Sequence, residues 1–405
     1  MPSIQPRTWA YSLPAALLLM APFDILASLA MDIYLPVVPA MPGILGTTPA
    51  VVQLTLTLYM ITLGLGQIVF GPVSDRIGRR PVLLGGALLF AGTSLLLATT
   101  SAAPLFVGLR FLQGVGASAA LVATFATVRD IYATRPEGSV IYASFSSMLA
   151  FVPALGPLAG ALLADRFGWQ AIFVTLATGA IAAMLHAWWR WPETRAMSGP
   201  APWPAFRPIL GSFAFWTYTL GFSAAMGAFF VFFSTAPRVL IDGAGFTEVG
   251  FSLAFATAAI VMILTTRFAK QFVARWGIPG SLARGMTVML LGAAAMATGQ
   301  LYFGPSFWTF VAPMWIIAIG MVLAVSVTAN GALQAFGEVA GTAVALYFCV
   351  QSLFVGGIGT LLVILLRGDT AWPLVAYCTL MAVVTLAALS LLQRRNPSPD
   401  SAPAS

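Results

Sequence analysis

The chain has 405 residues, of which 60% are apolar and only 8% charged, with a formal net charge of +7. A soluble domain is about 45–50% apolar and about 25% charged, so this composition excludes a water-compatible surface and makes lipid the solvent; the mean hydropathy of +0.93 agrees. Nothing alternates in the roughly ten-residue segments of a membrane barrel, and no nucleic-acid footprint accompanies the positive charge. Each spanning helix takes about 20 apolar residues, which leaves room for twelve in an all-α polytopic membrane protein.

In chain order, the apolar runs predict spans near 13–36, 51–71, 81–100, 104–128, 139–163 and 169–190, then near 212–235, 247–267, 279–302, 306–330, 341–366 and 371–392. Arg7 precedes the first run as in a signal peptide, but the run holds two aspartates and no convincing cleavage site, so it reads as a retained span. Between the sixth and seventh runs, Pro192, Pro200, Pro202, Pro204 and Pro208 forbid a continuous helix. This predicts an N-terminal six-helix bundle at 1–190, a cytoplasmic linker at 191–211, and a C-terminal six-helix bundle with a cytoplasmic tail at 212–405. Arg76, Arg79, Arg80, Arg129, Arg135, Arg190, Arg195, Arg267, Lys270, Arg275, Arg394 and Arg395 then fall on one side, and Arg166, Arg238 and Arg367 on the other. By the positive-inside rule both termini are cytoplasmic. Cys349 and Cys378 fall within predicted spans and His186 is the single histidine, so neither a disulfide framework nor a metal site is expected.

Three charges lie where lipid makes them costly. Asp24 sits about midway along the first span, where insertion scales charge an aspartate about 2.5–3.5 kcal/mol. It should face an aqueous cavity or a partner; there, loss of hydration favours the neutral acid and suits it to carrying a proton. The structural alternative is an aspartate held permanently neutral or paired. Asp32 follows about 12 Å further along the helix and about 80° around it, so the two form no tight dyad. It is either a second functional carboxylate or an outer-end group in contact with water. Arg110, inside the fourth span, keeps its proton and needs a carboxylate, carbonyl or water partner, unless it snorkels to the interface.

Charge also concentrates in Gly71-Pro-Val-Ser-Asp75-Arg76-Ile-Gly78-Arg79-Arg80, between the second and third runs. Asp75 can cap the third helix or pair with an arginine, and Gly71 and Gly78 can permit close approach. This predicts a gating loop that latches in one conformation. Its counterpart in the second half, from Arg267 to Gly277, is basic and ends in glycine but has no aspartate. In the fifth span, Gly156, Pro157 and Gly160 space small residues for close helix packing. Tyr59, Phe151, Trp315, Tyr347 and Phe348 are candidates to line a substrate cavity.

The pattern G-x-x-x-D-R-x-G-R-R across 71–80 resembles the loop signature of the major facilitator superfamily of secondary transporters. Arg110-x-x-Gln113-Gly114-x-Gly116 resembles that superfamily's fourth-span motif, and Gly156-Pro157-x-x-Gly160 its fifth-span antiporter motif. Asp32-x-Tyr34-Leu35-Pro36 resembles a first-span signature of twelve-span drug:proton antiporters. The stretches 21–36, 123–130, 326–332, 347–350 and 369–373 are similar to the chloramphenicol/florfenicol (phenicol) exporters, nearer the florfenicol-exporting type. The resemblance implies a monomeric transporter in the bacterial inner membrane, with no enzymatic activity and no cofactor. Protons entering down their gradient would drive phenicol drugs out by alternating access and confer antibiotic resistance. It places an essential carboxylate at Asp24 and a coupling arginine at Arg110, and leaves open whether Asp24 or Asp32 carries the coupled proton. Gln170 stands where many relatives carry arginine. A broad multidrug or endogenous-metabolite exporter is the alternative.

Overall fold

The computed structural model describes Trp9 and residues 11–132, 137–195, 206–336 and 339–395. Within lipid no water can satisfy a backbone N–H or C=O, so each crossing must close its own hydrogen bonds as a helix. Every regular element among the described residues is helical. Six long helices occupy the first half: α1 Leu13–Asp32, α2 Pro49–Ile77, α3 Arg79–Thr99, α4 Ala103–Tyr132, α5 Glu137–Phe167 and α6 Gln170–Arg190. Six follow: α7 Phe213–Pro237, α8 Glu248–Thr266, α9 Ala269–Tyr302, α10 Ala312–Leu333, α11 Ala340–Phe354 and α12 Trp372–Arg395. α11 continues through a wide turn at Val355–Gly359 to Leu365. Among the described residues, 11 stretches are long and apolar enough to cross a membrane; α5, at 31 residues, adds another long helix.

Two compact units form. One comprises Met1–Trp203 with Thr247–Ala256, the other Pro204–Phe246 with Thr257–Ser405. In the first, α3 packs along α4 and α6, and α1 against α4, α5 and α6. In the second, α9 packs along α10 and α12, and α7 against α10, α11 and α12. The same neighbours thus recur six helices later.

Glycines carry the repeat more sharply than any charged motif does. A Cβ on Gly86 of α3 would stand 2.7 Å from the Gly116 carbonyl oxygen of α4, and one on Gly116 2.7 Å from that of Gly86. In the second unit, Gly285 of α9 and Gly320 of α10 oppose each other the same way, at 2.8 and 2.6 Å. Gly78 and Gly277, at φ 109° and 66°, adopt backbone geometry that glycine takes without strain. Each lies eight positions ahead of its crossing glycine.

Two expectations about segment ends need revision. The charged knot is no loop: α2 runs on to Ile77, α3 begins at Arg79, and Gly78 alone breaks the helix. The apolar run ends near Gly71 because the lipid ends there, whereas the backbone hydrogen bonds continue, with Gly78 N–H donating to the Ser74 carbonyl at 3.1 Å. Nor is the segment after α6 free from its first residue. Trp191 is 2% exposed and packs in the first unit's core, its ring 5.5 Å from Trp9 and 5.9 Å from Phe23. Arg7, Arg135, Pro200, Pro202 and Pro204 lie outside the described residues.

Gly86→Ala should lower the melting temperature of the purified protein, since overpacking a tight contact costs about 1–3 kcal/mol. Gly85→Ala, one residue away with nothing within 4 Å of its Cβ, should be neutral or stabilising by up to about 1 kcal/mol. Equal shifts in the two variants would refute the close crossing of α3 and α4.

Candidate functional site

Arg110 lies on α4 with no exposed surface. Its Nη1 donates to the Gln113 side-chain oxygen at 2.5 Å and to the Ala30 carbonyl of α1 at 3.2 Å. Gln113 sits one helical turn away on the same face and is itself held by donation to Ser94 Oγ of α3 at 2.8 Å. Two rings flank the guanidinium, Tyr59 of α2 at 4.7 Å and Tyr34 at 5.2 Å from its carbon. Such cation–π contacts are worth about 2 kcal/mol each where water is excluded. The Tyr59 hydroxyl donates to the Ala27 carbonyl at 2.7 Å, which fixes the ring against α1. Arg110 Nε and Nη2 have no hydrogen-bond partner among the described residues, and no carboxylate there lies within ion-pair distance. The arginine is therefore clamped in place while its charge is not cancelled.

The two first-span aspartates are also enclosed. Asp24 is 3% exposed with Oδ2 unpartnered, and Asp32 is 6% exposed with Oδ1 unpartnered. The fifth-span glycines explain the burial of Asp32. A Cβ on Gly156 would stand 2.7 Å from Asp32 Cβ, and one on Gly160 would strike the Ile33 carbonyl oxygen. The bare α5 ridge thus admits the end of α1. Pro157 is buried between these two glycines. Arg110 meets α1 at Ala30, about 9 Å along the helix from the level of Asp24.

At the Gly78 break, Arg79 is the hub. It is 4% exposed; its Nη1 meets Asp75 at 2.5 Å and Ser74 Oγ at 2.7 Å, and its Nε meets Asp130 of α4 at 2.8 Å. Arg129 adds longer contacts to Asp130 at 3.6 Å and Asp75 at 3.9 Å. Glu193, beyond α6, accepts backbone N–H groups from Arg79 at 2.9 Å and Arg80 at 3.2 Å. The carboxylate therefore caps the positive end of α3. Arg195 donates to the Arg76 carbonyl at the negative end of α2. Arg80 donates to the Trp188 carbonyl at 2.6 Å. A Cβ on Gly78 would meet the Glu193 carboxylate, so close approach there is real; Gly71, for which the same was expected, has open space beside it.

The structure brings Arg110 and Tyr59 together and gathers Asp75, Arg79 and Arg80 around Gly78, with Arg76 contributing a carbonyl. Phe151 is 55% exposed, away from any ring partner among those described. Trp315 and Phe348 belong to the second unit. Trp315 Nε1 donates to Thr257 Oγ1 at 2.9 Å, and the Phe348 ring lies 5.7 Å from Phe222 and 5.5 Å from Tyr347. Tyr347 stacks on Phe222 at 4.5 Å and donates to Thr328 Oγ1 at 2.9 Å. Sequence reasoning missed Ser94, Gln113 and Tyr34 as partners of Arg110, and Ser74, Asp130 and Glu193 at the break. The one-turn spacing from Arg110 could have flagged Gln113; nothing local to Glu193 points to residues more than a hundred positions earlier.

A Major Facilitator Superfamily model matches residues 23–360. A Pseudomonas aeruginosa protein called a chloramphenicol resistance protein is 52% identical over 94% of this chain and 91% of its own length. Multidrug resistance protein D of Escherichia coli is 26% identical over 82% and 84%. Among solved structures, a bacterial homologue of the lysosomal transporter Spinster matches with a TM-score of 0.76 at 14% identity, covering 96% of this chain and 99% of that one. That last likeness concerns the fold alone.

Glu193→Ala should destabilise the protein by about 0.5–2 kcal/mol, the usual cost of losing a helix cap. Glu193→Gln keeps an acceptor but not the charge and should lose only part of that. Thermal unfolding of the three forms gives the order; an unchanged Glu193→Ala would remove Glu193 from the junction.

Proposed function

The chain belongs to the major facilitator superfamily, and on that premise we propose that it exports phenicol antibiotics, chloramphenicol and florfenicol, in exchange for protons. The observation that carries the substrate is its near-full-length kinship with the Pseudomonas chloramphenicol resistance protein. It is a multi-pass membrane transporter, not an enzyme. In this reading it acts as a monomer in the bacterial inner membrane with both termini cytoplasmic, needs no cofactor, and confers drug resistance.

The buried aspartates support proton coupling. A carboxylate with an unpartnered oxygen in a low-dielectric site can change protonation state without first breaking an ion pair. In the outward-facing form a proton binds Asp24 or Asp32 and weakens the grip on drug. In the inward-facing form the proton leaves and a phenicol binds. Arg110, whose charge no carboxylate cancels, donates to the drug's polar groups or holds the deprotonated aspartate. Of the candidate rings in the first unit, Phe151 is exposed and can offer its face to the aryl group. Phenicols are neutral overall, so ring contact and hydrogen bonding decide selectivity. A second reading, a broad multidrug exporter, draws on the kinship with Multidrug resistance protein D; a wide susceptibility panel separates the two.

In an efflux-deficient bacterium, wild type should raise resistance to both phenicols, while equally expressed Asp24→Asn falls to the level of empty vector. Parallel loss in Asp32→Asn would make both carboxylates necessary. Arg110→Lys keeps a charge but not the planar guanidinium that lies over the Tyr34 and Tyr59 rings, and should also lose resistance. No resistance from well-expressed wild type refutes the phenicol reading.

One proton entering per neutral drug leaving moves net charge, worth about 2.3 kcal/mol per 100 mV. Proteoliposomes given a membrane potential without a pH gradient should therefore transport drug. Stalled export there would rule out this stoichiometry.

A further inference from the structure

The two helix breaks share a backbone and differ in how their charge is answered. At Gly78, Asp75, Asp130 and Glu193 surround the arginines. Counting back equally from Gly277, Ala274 stands where Asp75 does, and Ile278 follows where Arg79 does. Yet residues 267–284 carry Arg267, Lys270, Arg275 and Arg284 with no Asp or Glu. None of these four meets a carboxylate within ion-pair distance among the described residues. Arg284 instead lies 4.7 Å over the Trp276 ring, which stacks on Phe272 at 5.0 Å, and donates to the Gly280 carbonyl at 3.2 Å.

The first two turns of α9, Ala269–Trp276, divide cleanly around the helix axis. Lys270, Gln271, Ala274 and Arg275 are exposed, Phe272, Val273 and Trp276 are half-buried, and Ala269 is buried. Phe268, just before, is 51% exposed. Cations along one face with aromatics beside and beneath them are the pattern of a helix lying in a membrane interface. Aromatic rings favour that same depth. A cation cluster that no carboxylate among the described residues pairs with is complementary to the phosphodiesters of anionic phospholipids. A dissolved anion would match the charge but leave the exposed aromatic without a role.

We propose that Arg267 and the helix Ala269–Trp276 form a binding surface for anionic phospholipid headgroups, which supply the negative charge that Asp75, Asp130 and Glu193 supply at the first break. Phosphodiester oxygens accept from Arg267, Lys270 and Arg275, while Phe268 enters the acyl boundary beside them.

The test is lipid titration of the full-length protein in detergent micelles, with bound lipids counted by native mass spectrometry. Phosphatidylglycerol should bind in preference to phosphatidylcholine. Lys270→Gln with Arg275→Gln should weaken that binding by about fivefold for each cation removed. Ala274→Asp, at an exposed position, should weaken it too by restoring an internal counter-charge. Arg394→Gln, removing a cation elsewhere, should leave it unchanged. Counting adducts on intact protein keeps the readout separate from any loss of yield. Equal binding of the two lipids, or variants that bind as wild type does, would overturn the proposal. So would inorganic phosphate displacing phosphatidylglycerol at low concentration, since that result describes an ion site.

Discussion

Where water is absent, a buried polar group that the protein does not answer is costly, and this constraint orders the rest of the molecule. It makes each crossing a helix, because only a helix closes its own backbone bonds. It also decides what a buried guanidinium can do. Arg79 is answered by Asp75 and Asp130, so its charge is neutralised and the contact serves to hold α2, α3 and α4 together. Arg110 is answered by an amide, a carbonyl and two ring faces. These fix its position yet leave its field available. Two arginines at similar burial thus take opposite parts, one as a fastening and the other as a standing charge beside a first span that carries two unpaired acids.

Close helix contact is what makes the second arrangement possible. The α5 glycines let α1 seat Asp32 away from water, and the Gly86–Gly116 crossing draws α3 against α4, the two helices that hold Ser94 and Gln113. The second unit keeps the crossing and the break while replacing the polar chemistry with stacked rings. Backbone geometry is the shared inheritance of the halves; side-chain chemistry is where they part.

Much of this was legible from residue order alone. Long apolar runs gave the helices, because lipid filters for them strongly. Asp24, Asp32 and Arg110 stood out because charge is rare in this chain. The end of α2 lies beyond the apolar run, since hydropathy marks where lipid stops and hydrogen bonding decides where a helix stops. Glu193 was invisible for a different reason: it acts on N–H groups more than a hundred residues away, and neither spacing nor composition encodes that pairing. The repeat is faint in charge, because Ala274 stands where Asp75 does, and plain in the glycines at 78, 86, 277 and 285.

The cap at the start of α3 also has a consequence in time. Arg79 and Arg80 leave the ribosome long before Glu193 does, so α3 enters the bilayer with its first N–H groups unanswered by that carboxylate. The junction closes only once α6 has been threaded and Trp191 has reached its seat. The cap is therefore supplied from beyond α6, and a nascent chain halted before Glu193 would hold all six helices and the Arg79 ion pairs with the start of α3 still uncapped.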